Sequence, residues 1–184
     1  MKKAIIFHSM GSNPDEFWYG WLKTELEKAG YKVSVPHYPA INQEPIEQFL
    51  PKVLAGNQFD SETVLVGHSA GCPLILSILE AVDVKVAQAI LVAGFAEHPD
   101  DQTPDPILQT VYNWSKIKQN VDDIIFINSV DDPWNCTDKQ GRLMFDHLGG
   151  TQIIRKEGHF GSGKFNQPYP QFPLLKALIL GASV

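Results

Sequence analysis

The sequence contains few cysteines, no cluster of basic residues and no long apolar run, and each of these absences excludes a class of protein. Its two cysteines, Cys72 and Cys136, are too few for a secreted disulfide framework and cannot form a zinc site by themselves. The net charge is −6, and basic residues adjoin only in pairs such as Lys2-Lys3. We therefore expect neither nucleic-acid binding nor polybasic attachment to a membrane. No stretch approaches the roughly 18 apolar residues of a membrane-spanning helix.

The first residues of the sequence resemble a secretion signal only superficially. Lys2 and Lys3 precede an apolar run, as in a signal peptide, but the run covers only residues 4–7 and is far shorter than the apolar region of such a signal. We therefore expect a cytoplasmic protein. With 184 residues, 43% of them hydrophobic, the chain can bury one core, and we expect a single domain over residues 1–184.

Short β-rich runs alternate with amphipathic stretches along the chain. This alternation predicts an α/β fold with a mostly parallel sheet and helices on both of its faces. The predicted strands are residues 3–7, 31–35, 63–66, 87–93, 123–130 and 151–155.

Two of the predicted helices rest on local signals. The first is expected to begin within Ser12–Asp15, where a capping side chain precedes a proline, and to end at Gly30. Gly20 lies inside this helix, and close packing against the sheet would explain it. A second helical stripe is expected from Ile107 to Ile117.

Ligands bind beyond the carboxyl ends of the strands in parallel sheets, so the residues that follow each strand are the candidates for function. In chain order they are His8-Ser9-Met10, His37, His68-Ser69, Gly94-Phe95, Asp131-Asp132 and His159.

One of these segments matches a nucleophile elbow. Gly67-His68-Ser69-Ala70-Gly71 has the pattern G-x-S-x-G and lies between a predicted strand and a predicted helix, which is the context that the elbow requires. The serine of such a turn adopts a strained backbone conformation that projects its hydroxyl above the sheet. Bulky side chains two residues away on either side would collide with the neighbouring strand and helix. Ser69 is therefore the candidate nucleophile, and His68 is expected to be a packing residue.

A serine hydroxyl needs a base to remove its proton, and the chain order in such hydrolases is serine, acid, histidine. Three histidines follow Ser69, namely His98, His147 and His159. Only His159 combines a position directly after a strand with a late place in the chain, so we predict that it is the base. The acid should follow the fifth strand, where Asp131 and Asp132 are both candidates, and position alone does not choose between them.

The oxyanion hole requires two N–H donors. We expect one from the amide of Ala70, the residue after the nucleophile, and the other from the loop after the first strand. The Met10 amide is favoured there, with Ser9 as the alternative.

The order and spacing of these motifs resemble a known family. Gly-His-Ser-Ala-Gly, Ser-Val-Asp-Asp-Pro-Trp and Gly-His-Phe, together with Trp18–Lys23, resemble the small α/β-hydrolases related to retinoblastoma-binding protein 9 over nearly the whole chain. The resemblance implies an α/β-hydrolase fold in minimal form, without the first two antiparallel strands or a lid domain. We expect a six-stranded sheet of order 2-1-3-4-5-6.

The same resemblance implies a triad of Ser69, Asp132 and His159, because the second aspartate of the family's Asp-Asp-Pro motif is the acid. The Leu-x-Cys-x-Glu segment associated with retinoblastoma binding is absent, since residues 57–62 are Asn-Gln-Phe-Asp-Ser-Glu. We therefore carry over no protein partner.

These features together predict a serine hydrolase that cleaves small carboxylic esters, with thioesters or activated amides as further substrates and no metal or organic cofactor. The stretch from Gly94 to Asp105 is too short for a lid domain, so we expect a shallow site. The alternative function is a non-catalytic interaction module on a hydrolase scaffold. Amide cleavage as the biological role would use the same site.

Overall fold

The protein is described by a computed structural model, which covers residues 1–100 and 104–181. Six strands form one sheet in the order β2-β1-β3-β4-β5-β6, and every neighbouring pair is parallel. The predicted strand order is thereby confirmed. The strands are β1 (Lys3–Phe7), β2 (Lys32–Ser34), β3 (Thr63–His68), β4 (Val86–Val92), β5 (Val121–Ser129) and β6 (Thr151–Arg155).

The helices lie between successive strands and after the last one. They form two packed groups, α1 with α6 and α2 to α5 in succession, which cover the two faces of the sheet. The helices are α1 (Tyr19–Lys28), α2 (Ile46–Gly56), α3 (Gly71–Ala81), α4 (Trp114–Gln119), α5 (Asp138–Leu148) and α6 (Pro173–Leu180).

The core lies on both sides of the central strands. All six residues of β3 are buried, and α3, which follows it, is buried at every position from Gly71 to Leu79. A strand that is covered on both faces favours a continuous apolar run, and this is why the runs in the sequence located the strands. The carboxyl ends of β1, β3, β5 and β6 meet at one edge of the sheet, where the candidate residues lie.

The start of α1 differs from the prediction. Residues 12–18 precede the helix, because Ser12 donates its hydroxyl to the Ser9 carbonyl at 2.9 Å and Phe17 has a φ of 50°, which no right-handed helix allows. The helix begins at Tyr19. A Cβ on Gly20 would meet no atom within 4 Å, so close packing does not explain that glycine.

The helical stripe from Ile107 to Ile117 is also shorter than predicted. The backbone near its start pairs with another part of the chain, since Pro106 accepts the Ile46 N–H at 2.9 Å and Ile107 donates to Asn42 Oδ1 at 3.2 Å. Only α4 remains helical. The side chain of its N-cap residue, Asn113, accepts the Lys116 N–H.

No helix among residues 1–100 and 104–181 combines the length and the apolar character that crossing a membrane requires. The cytoplasmic location expected from the sequence stays a prediction.

Candidate active site

Ser69 lies on a strained turn between β3 and α3. Its φ is 52°, a value that L-residues rarely adopt, and its N–H donates to the Val92 carbonyl at 2.9 Å. A Cβ on Gly67 would lie 2.8 Å from backbone atoms of Gly71, and a Cβ on Gly71 would lie 2.4 Å from the Phe7 carbonyl oxygen. Both distances are too short for any side chain. The steric reason for the two glycines of the elbow is confirmed.

His159 and Asp132 form a buried hydrogen-bonded pair on the loops that follow β6 and β5. His159 Nδ1 lies 2.8 Å from Asp132 Oδ2, and the two side chains are 5% and 0% exposed. The other carboxylate oxygen, Oδ1, accepts the Trp134 N–H at 2.8 Å. A carboxylate that accepts at both oxygens places the proton of a neutral His159 on Nδ1 and leaves Nε2 free to accept one.

Asp131 lies elsewhere, although it neighbours Asp132 in the sequence. It is exposed, and its Oδ1 accepts the Gly158 N–H at 3.1 Å. Asp131 therefore steadies the backbone just before His159 and does not contact the imidazole. Of the two candidates, the structure brings Asp132 to His159.

A glutamine holds the loop that carries His159. Gln167 Oε1 accepts the His159 N–H at 2.9 Å, while Gln167 Nε2 donates to the Glu157 carbonyl at 2.8 Å. The backbones of Gln167 and Ser162 also pair, with two hydrogen bonds of 2.8 Å. Nothing in the sequence pattern distinguishes this glutamine from others in loops, and none of the motifs includes it.

The loop after β1 supplies the second candidate oxyanion donor. The Ser9 N–H donates to the hydroxyl of Tyr19 at 3.1 Å and is therefore occupied. Among the residues that the structure describes, neither the Met10 N–H nor the Ala70 N–H donates a hydrogen bond. Both residues line the same cavity as Ser69. The geometry thus favours Met10 over Ser9 as the partner of Ala70.

This cavity has a volume of about 550 Å³ and is also lined by His159. That size is typical of a small-ligand pocket and agrees with the expectation of small substrates, while the expected shallowness stays a prediction. Besides Ser69 and Ala70, the residues that line the cavity come from the segments that follow β1, β4, β5 and β6. The large apolar residues of the wall are Met10, Phe17, Phe95, Pro99, Trp134 and Pro168. Residues 101–103 of the segment considered for a lid lie outside the described residues.

The Ser69 hydroxyl has no hydrogen-bond partner within residues 1–100 and 104–181, and in particular it is not bonded to His159. The two side chains nevertheless face one cavity. Hydrogen bonds between a nucleophile and its base are often long without substrate and shorten when the substrate binds. The arrangement is therefore compatible with proton transfer from the serine to the imidazole.

Three ligand atoms of the site lie close enough to hold a metal ion. One atom each of Asp132, Cys136 and His159 lies within 4.8 Å of the others. Two of these residues are already joined by the hydrogen bond at Nδ1, which a metal ion would have to replace. Burial, reinforced by the nearby Asp132 carboxylate, also raises the pKa of the Cys136 thiol well above its ordinary value, which disfavours the thiolate that metals prefer. The cluster suits hydrogen bonding better than metal binding.

Known proteins are similar to this chain in sequence and in fold. A family model described as serine hydrolase matches residues 4–177. The chain belongs to this serine hydrolase family. YdeN of Bacillus subtilis is 31% identical over 135 residues, which are 71% of each protein. The serine hydrolase RBBP9 of Rattus norvegicus is 27% identical over 171 residues, 90% of each.

The crystal structure of B. subtilis YdeN supports the same assignment of fold. It superposes on this serine hydrolase with a TM-score of 0.87 and 24% identity, covering 99% of this chain and 98% of that chain. The α/β-hydrolase fold is therefore shown. The resemblance recognised from the motifs is confirmed by the family model and by the match to RBBP9.

Proposed function

We propose that this serine hydrolase cleaves carboxylic esters, with Ser69 as the nucleophile, His159 as the general base and acid, and Asp132 as the residue that orients His159. One observation carries the proposal. A single cavity contains a serine on a strained elbow and a histidine whose Nδ1 lies 2.8 Å from a buried carboxylate.

In the first step the Ser69 oxygen attacks the acyl carbon while its proton passes to His159 Nε2. The carbonyl oxygen becomes an oxyanion, which accepts hydrogen bonds from the amides of Ala70 and Met10. Asp132 stabilises the imidazolium that forms, because its carboxylate is buried against the protonated Nδ1. The tetrahedral intermediate then collapses. The bond to the leaving alkoxide breaks, and Nε2 returns the proton to it.

In the second step water replaces the alcohol. His159 Nε2 removes a proton from the water, whose oxygen attacks the acyl carbon of the ester formed on Ser69. Collapse of the second tetrahedral intermediate releases the carboxylic acid, and the proton returns to the Ser69 oxygen. Side chains and water balance every proton in this cycle, so the proposal includes no metal or organic cofactor.

The cavity supports small esters as the substrate class. Its volume of about 550 Å³ and its apolar wall favour a compact, apolar or aromatic acyl group over a long chain or a polymer. Thioesters and activated amides have the same reacting carbon and fit the same chemistry. Trp134 and Phe95 offer flat surfaces on which such a group packs.

Labelling with a fluorophosphonate probe tests the proposal, because the probe reacts only with a serine that is activated as a nucleophile. We expect rapid labelling of the wild type, with peptide mass spectrometry locating the adduct on Ser69. Ser69→Ala and His159→Ala should not be labelled. Ser115→Ala is the control, since Ser115 lies exposed on α4, and it should be labelled at the wild-type rate.

Two results would contradict the proposal. If the folded wild type is not labelled, the non-catalytic interaction module becomes the better description. If Ser69→Ala is labelled as fast as the wild type, the nucleophile is another residue. After successful labelling, nitrophenyl acetate, butyrate, octanoate and benzoate would measure the preferred acyl group. We expect the octanoate to be the poorest substrate.

A further inference from the structure

The residue before the proposed nucleophile uses both nitrogens of its ring. His68 is completely buried, and its Nε2 lies 2.7 Å from the His159 carbonyl oxygen. Since a carbonyl oxygen only accepts hydrogen bonds, Nε2 must carry a proton. Burial holds the pKa of His68 well below its ordinary value, so the ring is neutral and Nδ1 is an acceptor.

The partner of His68 Nδ1 is the hydroxyl of Tyr19, at 2.6 Å. Tyr19 is also completely buried, and burial raises the pKa of its hydroxyl to about 12, so it keeps its proton and donates it to the imidazole. The Tyr19 oxygen in turn accepts the Ser9 N–H at 3.1 Å. One directional series of hydrogen bonds therefore runs from Ser9 through Tyr19 and His68 to the backbone of His159.

Three members of this series either neighbour a residue of the proposed mechanism or belong to it. Ser9 precedes Met10, whose amide is the second oxyanion donor, and His68 precedes Ser69. His159 is the base itself. The series thus links the loop after β1, the first residue of α1, the last residue of β3 and the loop after β6. Hydrogen bonds linked in a buried series also strengthen one another.

The peptide group between Ser9 and Met10 is held in one orientation, and this fixes the direction of the Met10 N–H. Because a peptide group is planar, the direction of the Ser9 carbonyl determines the direction of the Met10 N–H. The carbonyl accepts from His8 Nδ1 at 2.8 Å and from the Ser12 hydroxyl at 2.9 Å. Tyr19 holds the N–H on the other side of Ser9. Both sides of Ser9 are therefore anchored, and the Met10 amide has one orientation.

We propose that Tyr19 and His68 are positioning residues, which hold the Met10 amide and His159 in fixed places relative to Ser69 through the series Ser9–Tyr19–His68–His159. The inference rests on the proposed function, since it concerns the efficiency of that same site. Neither residue touches the substrate. Their effect is exerted through the direction of an N–H group and the place of an imidazole.

Tyr19→Phe is the first test, because it removes one oxygen atom and keeps the ring that packs against Trp18 and Phe17. The change leaves the Ser9 N–H and His68 Nδ1 without their shared partner. We expect kcat to fall about 10- to 100-fold and KM to change less than about threefold, since the misdirected amide affects the oxyanion more than the bound ester. Turnover is expressed per site titrated with a fluorophosphonate, so that loss of folded protein does not count.

A second readout separates positioning from a general structural effect. A trifluoromethyl ketone forms a tetrahedral adduct that places its oxygen in the oxyanion hole. Its inhibition constant should rise in Tyr19→Phe by about the same factor by which kcat/KM falls. Tyr31→Phe is the matched control, because the Tyr31 hydroxyl donates a long hydrogen bond, 3.4 Å, to the Ile179 carbonyl, and Tyr31 directly precedes β2, at the opposite ends of the strands from Ser69. It should leave both constants unchanged.

His68→Gln provides an independent variant in case Tyr19→Phe does not fold. A glutamine amide placed where Nε2 lies can still donate to the His159 carbonyl, but it loses the acceptor for Tyr19. We expect the same direction of change and less than an additive loss when the two substitutions are combined, because they break one shared link.

The inference would be overturned if kcat per titrated site stayed within threefold of wild type in both variants, or if the inhibition constant did not follow kcat/KM. Its failure is distinguishable from failure of the proposed function. If the wild type is labelled at Ser69 and the variants retain full turnover, only the positioning role is wrong. If the wild type is not labelled, the proposed function fails first.

Discussion

Replacing Asp132 with asparagine exchanges one carboxylate oxygen for an NH2 group and leaves the size of the side chain nearly unchanged. In the wild type both oxygens accept hydrogen bonds, Oδ1 from the Trp134 N–H and Oδ2 from His159 Nδ1, each at 2.8 Å. Asparagine has one acceptor oxygen, so one of these two donors must face an NH2 group. The backbone donor cannot move, whereas an imidazole can shift its proton to the other nitrogen.

The structure therefore predicts which orientation the asparagine adopts. If its oxygen faced His159, the Trp134 N–H, which belongs to a half-buried residue, would be left without a partner, at a cost of up to about 1–3 kcal/mol. The oxygen should instead face Trp134, and the NH2 group then donates to His159 Nδ1. This places the imidazole proton on Nε2, where it prevents His159 from accepting the proton of Ser69. The substitution also removes the charge that stabilises the imidazolium. We expect the two effects together to lower kcat about 10³- to 10⁴-fold, which corresponds to an increase of about 4–5.5 kcal/mol in the activation free energy.

The assay is hydrolysis of nitrophenyl acetate by Asp132→Asn, with kcat expressed per mole of folded protein. Nitrogen NMR of the histidine ring should show the proton of His159 on Nε2. Asp131→Asn is the matched control, since Asp131 is exposed and an asparagine oxygen can still accept the Gly158 N–H. We expect the control to lose less than about fivefold. Retention of more than a tenth of wild-type kcat in Asp132→Asn, or a larger loss in Asp131→Asn, would refute this reasoning.

Three further predictions concern the oxyanion donor, the elbow and the effect of pH on stability. Met10→Pro removes the amide N–H that Met10→Ala keeps, so its kcat should be about 10- to 1000-fold lower than that of the alanine variant; equal values would mean that the amide is not a donor. Gly71→Ala should lower the free energy of unfolding by at least about 1–3 kcal/mol, because the new Cβ would lie 2.4 Å from the Phe7 oxygen. Gly20→Ala is the control: its new Cβ would meet no atom within 4 Å, so it should raise the free energy of unfolding by up to about 1 kcal/mol. Burial holds the pKa of His68 well below its ordinary value, so below about pH 6.5 the unfolded chain binds more protons than the folded one. As the pH is lowered below that value, the free energy of unfolding, measured in urea, should therefore fall by up to about 1.4 kcal/mol for each pH unit. His68→Gln should reduce this dependence on pH.

The four central strands could be predicted from the sequence because they are buried along most of their length and therefore appear as short apolar runs. The two edge strands, β2 and β6, are more exposed, and short β-rich runs located them. The bounds of β1 and β6 agree with the prediction, while those of β2 to β5 differ by one or two residues at an end. The parallel arrangement followed from the helices between the strands, and the strand order came from the family resemblance.

Local capping signals were less reliable, because other groups can use the same side chains. Ser12 looked like the cap of a helix, but its hydroxyl donates to the Ser9 carbonyl. Asn13 accepts the Asp15 N–H at 2.9 Å and closes a turn instead of continuing into a helix. Residues 106 and 107 pair with Ile46 and Asn42. In each case a contact outside the predicted helix satisfied the backbone.

The position of Ser69 could be predicted because the steric demands of the elbow are local. Two glycines, each two residues from the serine, satisfy these steric demands, so the short pattern G-x-S-x-G is enough to identify the elbow. The choice between Asp131 and Asp132 is different in kind. It depends on which side chain faces a loop 27 residues further along the chain, and only the family resemblance or the folded structure decides it.

The hydrogen bonds that join Tyr19 and His68 follow only in part from the sequence. A buried neutral imidazole needs one donor and one acceptor, because an unpaired ring nitrogen costs about 1–3 kcal/mol. A histidine directly before the elbow serine must find both among the loops at the same edge of the sheet. That much follows from its place in the sequence, and it argues against a packing role alone. The partners themselves lie 49 and 91 residues away. Their identity depends on where the start of α1 and the loop after β6 meet the end of β3, and no local periodicity contains that information.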